Sequence, residues 1–83
     1  MSNKILKFGA TWCNPCKQSG KFIENKFPDK EYEDFDVTVD VDMAKTHNIK
    51  NVPTFILLNE AGEELQRFTG FNPQEITKMF NQI

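Results

Sequence analysis

The sequence predicts an α/β fold, with four strands and three helices in the order β-α-β-α-β-β-α. Three observations carry that expectation. A short apolar run ends at Gly9 just before a helix with Pro15 in its first turn. Residues 35–41 alternate, with Val37, Val39 and Val41 on one face and Asp36, Thr38 and Asp40 on the other. The last segment opens on Asn72-Pro73-Gln74-Glu75, a helix start with a cap, a proline at the first position and an acid three after the cap.

Taken in order, Lys4–Phe8 reads as the first strand. The helix that follows spans about Asn14 to Phe27, with Cys16, Gly20, Ile23 and Phe27 on one stripe, and Pro28 stops it. Phe35–Val41 is the second strand, and Asp42 is positioned to cap a short helix through about Asn48. Pro53–Leu58 is nearly continuous apolar sequence, expected of a central strand covered on both faces. The turn Asn59-Glu60-Ala61-Gly62 joins it to Glu63–Phe68 as an antiparallel hairpin at the sheet edge. In the last helix Ile76, Met79, Phe80 and Ile83 share one face. A strand–helix–strand unit at the start implies parallel pairing, which makes the sheet mixed.

With 83 residues the chain is expected to form one domain, 1–83. A domain of this size buries only about 60% of its unfolded surface. Eight Phe give it much buried area per side chain. Ten basic against twelve acidic residues, with no clustered basic face, argue against nucleic acid. The acidic run Asp29–Asp36 reads as a solvated loop. No apolar run is long enough to cross a bilayer, and Met1–Phe8 lacks a signal-peptide core, so the expected location is cytoplasmic, away from membranes.

The two cysteines stand in Trp12-Cys13-Asn14-Pro15-Cys16, between a strand and a helix. Cys13 falls just before the helix, where unpaired N–H groups and the helix dipole favour a thiolate, the nucleophilic form. Cys16, one turn on, faces the same side and is placed to attack a mixed disulfide on Cys13. Asn14 and Pro15 shape the turn between them. A structural disulfide closing so short a loop removes little unfolded-state entropy. A zinc site needs four ligands, and with His47 the sole histidine no metal is expected. Inert buried cysteines are disfavoured by the turn-forming Asn14-Pro15. The pair's spacing and its place between a strand and a helix favour a redox pair over these readings.

At Trp12-Cys13-Asn14-Pro15-Cys16-Lys17 the chain resembles the thioredoxin family, whose usual motif is Trp-Cys-Gly-Pro-Cys-Lys. Phe8-Gly9-Ala10-Thr11 looks like the family's strand end, and Val52-Pro53-Thr54 like its cis-proline loop opposite the cysteines. The resemblance runs from about Ile5 onward. It implies a three-layer core with a four-stranded mixed sheet, lacking the first strand and helix of full-length thioredoxins. It implies that Cys13 attacks and Cys16 resolves, that Trp12 flanks and covers the disulfide, and that Pro53 sits against the sulfurs. Val52 and Gly70 would line the groove for an extended substrate strand. No cofactor beyond the Cys13–Cys16 disulfide is implied. The partners implied are disulfide-containing client proteins and a thioredoxin reductase. Gly70-Phe71-Asn72-Pro73 is similar to a string in redoxins serving ribonucleotide reductase. A monomer is expected of such a carrier.

Three departures stand out. Lys7 occupies the position where thioredoxins place a buried Asp, six residues before the first cysteine, and Thr38 the position of its lysine neighbour. Lys7, Thr38 and Asp40 are then expected on a partly exposed face, with the Lys7 stem packed and its amine in solvent. Asp40, through water, is the substitute proton acceptor. Were Lys7 instead close to the cysteines, it would favour their thiolates. Lys21 replaces the usual mid-helix proline, and Asn14 the usual glycine. Two alternatives to a thioredoxin-type reductase remain at this level. One is a glutathione-dependent glutaredoxin, against which Trp12 and Asn14-Pro15 stand. The other is a binding module using Trp12, Val52, Gly70 and Phe71 as an apolar patch.

Overall fold

A computed structural model describes residues 2–83. Four strands, β1 (Lys4–Gly9), β2 (Glu33–Asp36), β3 (Thr54–Leu58) and β4 (Glu64–Thr69), form one sheet in the order β2-β1-β3-β4. β1 pairs parallel with β2 and antiparallel with β3, and β3 pairs antiparallel with β4. Because β1 and β3 are flanked on both sides and covered on both faces, their sequences are nearly unbroken apolar runs.

Side chains alternate across the sheet, so each central strand feeds two cores. Ile5, Phe55 and Leu57 pack with Ile23 of α1 (Asn14–Lys26) and with Ile76, Met79 and Phe80 of α3 (Pro73–Phe80). Leu6, Phe8 and Ile56 face the other way, toward Met43 of α2 (Val41–Thr46) and Ile49. The result is three layers, with α1 and α3 on one face and α2 on the other. Phe80 is stacked on Phe27 at 5.3 Å between centroids and meets Tyr32 edge-on at 5.5 Å. Fully burying each of Ile76, Met79 and Phe80 is worth about 1.5–3 kcal/mol.

The start of α3 follows the sequence reading. Asn72 Oδ1 accepts from Glu75 N at 3.2 Å, and Pro73 holds the first position. The Glu75 carboxylate turns to Lys78 Nζ at 3.6 Å. In the hairpin, Asn59 Oδ1 accepts from Ala61 N and Glu63 N, and Gly62 has φ +85°.

The second strand differs from the expectation. β2 covers Glu33–Asp36, so it takes up the end of the acidic run, and residues 37–39 form a turn. Asp36 Oδ1 accepts from Thr38 N at 2.8 Å and from Thr38 Oγ1 at 2.6 Å, while Asp40 Oδ2 accepts from Asp36 N at 3.1 Å. These local bonds offer the backbone an alternative to the ladder, and they end the strand. Of the expected buried valine face only Val37 packs against the core, while Val39 is 75% and Val41 44% exposed. The short helix accordingly begins at Val41, with Asp40 rather than Asp42 at its cap position.

Candidate redox site

β1 ends at Gly9, and the chain turns through Ala10-Thr11-Trp12, with Cys13 N donating to Ala10 O at 3.2 Å. Cys13 has extended backbone angles and is the N-cap of α1, its Sγ accepting from Cys16 N at 3.2 Å. The sulfur thus occupies the place where a capping oxygen ordinarily satisfies a free N–H. Asn14 and Pro15 are the first helical residues and are exposed. Cys13 and Cys16 are disulfide-bonded, with Cα atoms 5.2 Å apart.

The pair is shielded, Cys13 at 5% and Cys16 at 4% exposure, by Ala10 and by Val37 and Val52 packed against it. Trp12 stands 69% exposed and lines a shallow cleft with Val52, Ile49 and Asn51. The Val52–Pro53 peptide is cis, Pro53 is fully buried, and Pro53 O accepts from Gly70 N at 2.8 Å. Gly70 adopts φ +86°, a left-handed conformation that L side chains rarely take. Beside it Phe71 meets Phe22 edge-on at 6.1 Å. The structure therefore gathers the cysteine turn and Val52 at one end of the sheet, with Gly70 tied to the adjoining Pro53.

The expectation for Lys7 is corrected. Its side chain is buried, 7% exposed, and its Nζ lies 3.7 Å from Asp34 Oδ2. It lines one cavity of about 350 Å³ with Gly9, Cys16, Gly20 and Asp34. Thr38 and Asp40 do not join it: both are engaged with Asp36 in the turn. Asp40 accepts from Asp36 N in that turn and does not line the cavity beside Cys16. Asp34, in the acidic run expected to form a solvated loop, lies instead in β2 as Lys7's partner in the β1–β2 register. Among the described residues no three His, Cys, Asp or Glu side chains cluster as a metal site requires. Nor is any described helix long and apolar enough to cross a membrane.

The family model described as Thioredoxin matches residues 2–82. The chain is 31% identical to the SPbeta prophage-derived thioredoxin-like protein YosR of Bacillus subtilis (strain 168), with 96% of this chain and 98% of that protein aligned. It is 34% identical to Thioredoxin H2 of Arabidopsis thaliana, covering 99% of this chain and 65% of that one. So it spans nearly all of the first relative and just under two thirds of the second. Among solved structures, the germline-specific thioredoxin Deadhead of Drosophila melanogaster superposes with a TM-score of 0.84 at 26% identity, covering 99% of this chain and 81% of that one.

Proposed function

The chain belongs to the thioredoxin family and is a thiol–disulfide oxidoreductase, and from that premise we propose that Cys13 attacks client disulfides and Cys16 resolves them. The observation that carries the assignment of roles is the position of Cys13 at the N-cap of α1, its sulfur accepting from Cys16 N. A thiolate there receives a charge-assisted hydrogen bond and the positive end of the helix dipole. Cys16 has no such place, being inside the first turn of the helix.

In the reduced protein the Cys13 thiolate attacks one sulfur of a client disulfide. A Cys13–client bond forms, and the second client sulfur leaves with the electron pair and takes up a proton. Cys16 then attacks Cys13 Sγ, closing the Cys13–Cys16 disulfide and releasing the other client sulfur as a thiol. Two electrons pass to the client, and no further cofactor enters the proposal. Val52 and Gly70 bracket Pro53 where an extended client strand is to lie, with Trp12 at its flank.

The narrower proposals are a single domain over residues 1–83, acting as a cytoplasmic monomer recycled by a thioredoxin reductase. Ribonucleotide reductase is proposed as one client, on the resemblance of Gly70-Phe71-Asn72-Pro73, although Asn72-Pro73 also serves as the start of α3. The test is insulin disulfide reduction by the oxidised protein with NADPH and thioredoxin reductase, beside a glutathione and glutathione reductase arm. Turnover in the first arm alone is expected. Turnover only with glutathione reassigns the recycling partner. Failure of both arms leaves the binding-module reading, with Trp12 and Phe71 as its exposed patch.

A further inference from the structure

Lys7 is a buried cation on the same face of β1 as Gly9, and Gly9 is where the strand meets Cys16. A Cβ on Gly9 would lie 3.2 Å from Cys16 Sγ, and a Cβ on Gly20 would lie 3.8 Å from Lys7 Nζ. Cys16 and Gly20 are one turn apart on α1, so their side-chain positions are neighbours, about 5–6 Å between Cβ atoms. The ammonium and the Cys16 sulfur therefore share the wall of one cavity.

We propose that Lys7 is a charge-positioning residue for the resolving step, its ammonium held by Asp34 so that it favours ionisation of Cys16. This rests on the reading of Cys16 as the resolving cysteine. In the mixed disulfide the Cys16 thiol passes its proton to water in the cavity, and the thiolate attacks Cys13 Sγ. The Cys13–Cys16 bond forms as the Cys13–client bond breaks, and the client sulfur departs with the electron pair and is protonated from solvent.

The charged groups lining the cavity are Lys7 on β1, Asp34 and Asp36 on β2, and Lys17 on α1. Asp36 is bound to Thr38, which holds its carboxyl below the usual carboxylate range, so it stays ionised through the resolving range. Asp34 is 55% exposed and screened by water, whereas the Lys7 ammonium is enclosed. The field of the cation prevails at Cys16. Removing a charge at such a distance changes the thiolate population by about tenfold. A more basic thiolate is also a better nucleophile, with a Brønsted coefficient of about 0.4–0.5, so the net slowing below the midpoint is about three- to fourfold.

The test uses the full chain loaded on Cys13 with thionitrobenzoate from dithiobis-nitrobenzoate at low pH. After a jump to each test pH, release of the second thionitrobenzoate reports attack by Cys16. For Lys7→Met the midpoint of the pH–rate profile is expected to rise by about one pH unit. The rate at neutral pH falls about three- to fourfold and is not reduced at alkaline pH, where Cys16 is ionised in both proteins. Lys7→Arg, which keeps the cation on the same strand face, is expected to leave the midpoint close to that of the wild type. An unmoved midpoint in Lys7→Met, with or without a uniform loss of rate, overturns the proposal. Should Lys7→Met fail to fold, Lys7→Gln is measured in its place, and an unmoved midpoint there overturns the proposal. A wild type that releases no second equivalent overturns the exchange reading itself, and this proposal with it.

Discussion

Cys13 has a structural duty that is separable from its chemistry, and two redox-dead variants distinguish them. Its Sγ accepts from Cys16 N at 3.2 Å at the N-cap of α1, a helix of 13 residues. Serine is among the best capping residues and alanine among the poor ones, a difference of about 0.5–2 kcal/mol. Burial does not reverse this: at 5% exposure the serine hydroxyl is shielded, but the same backbone N–H satisfies it. Both variants are to be made in a Cys16→Ala background, so the disulfide is absent from each and its own contribution cancels. Cys13→Ser is then expected to be more stable than Cys13→Ala by about 1 kcal/mol, a gap of about 4–8 °C in Tm for a domain of this size. Thermal melts followed by circular dichroism read the gap, and insulin reduction is lost equally in both. An alanine variant as stable as the serine variant would refute the capping role and, with it, the electrostatic reason for assigning attack to Cys13.

Other outcomes follow from the surroundings of the site. Gly70→Ala places a side chain at φ +86° and is expected to cost about 1–2 kcal/mol, measured by urea unfolding. Because Gly70 N holds Pro53 O, the same variant should raise the KM for insulin more than it lowers kcat. Gly20→Ala, mid-helix and with its new methyl at ordinary contact distance from Lys7 Nζ, should stabilise the protein by about 0.5–1 kcal/mol. Tyr32, the one tyrosine, has its phenol pushed above its ordinary value of 10.0, first by burial and then by Asp34 and Glu24. The neutral phenol is therefore favoured by folding: this contribution is complete below pH 10.0 and is lost as pH rises through the folded value. Phenolate absorbance should appear at higher pH in the folded than in the urea-unfolded chain, and coincident titrations would contradict the burial.

Where the fold was legible, its signals were local. Asn72-Pro73 carries the start of α3 in its own side chain and ring, and Asn59 and Gly62 carry the hairpin turn. The apolar runs of β1 and β3 announce strands covered on both faces. The cysteine turn was legible because a cap, a proline and two thiols must lie within one helical turn to work together. The second strand differs from its sequence pattern because Val37, Val39 and Val41 mimic a buried face. Asp36 and Asp40 bond to backbone and hydroxyl groups within four residues, and those bonds close the turn. Moving the strand to Glu33–Asp36 brought Asp34 beside Lys7. The burial of Lys7 was not visible in its own neighbourhood, since it depends on a glycine across the layer and a carboxylate on another strand.

In the proposed exchange, electrons reach the client through a covalent intermediate on Cys13. Its most direct test is to incubate reduced Cys16→Ser and Cys13→Ser with an excess of insulin and locate the adduct by mass spectrometry of non-reduced digests. An insulin chain joined to Cys13 is expected to accumulate in Cys16→Ser, with little or none in Cys13→Ser. An adduct that forms chiefly on Cys16, or none in either variant, would contradict it.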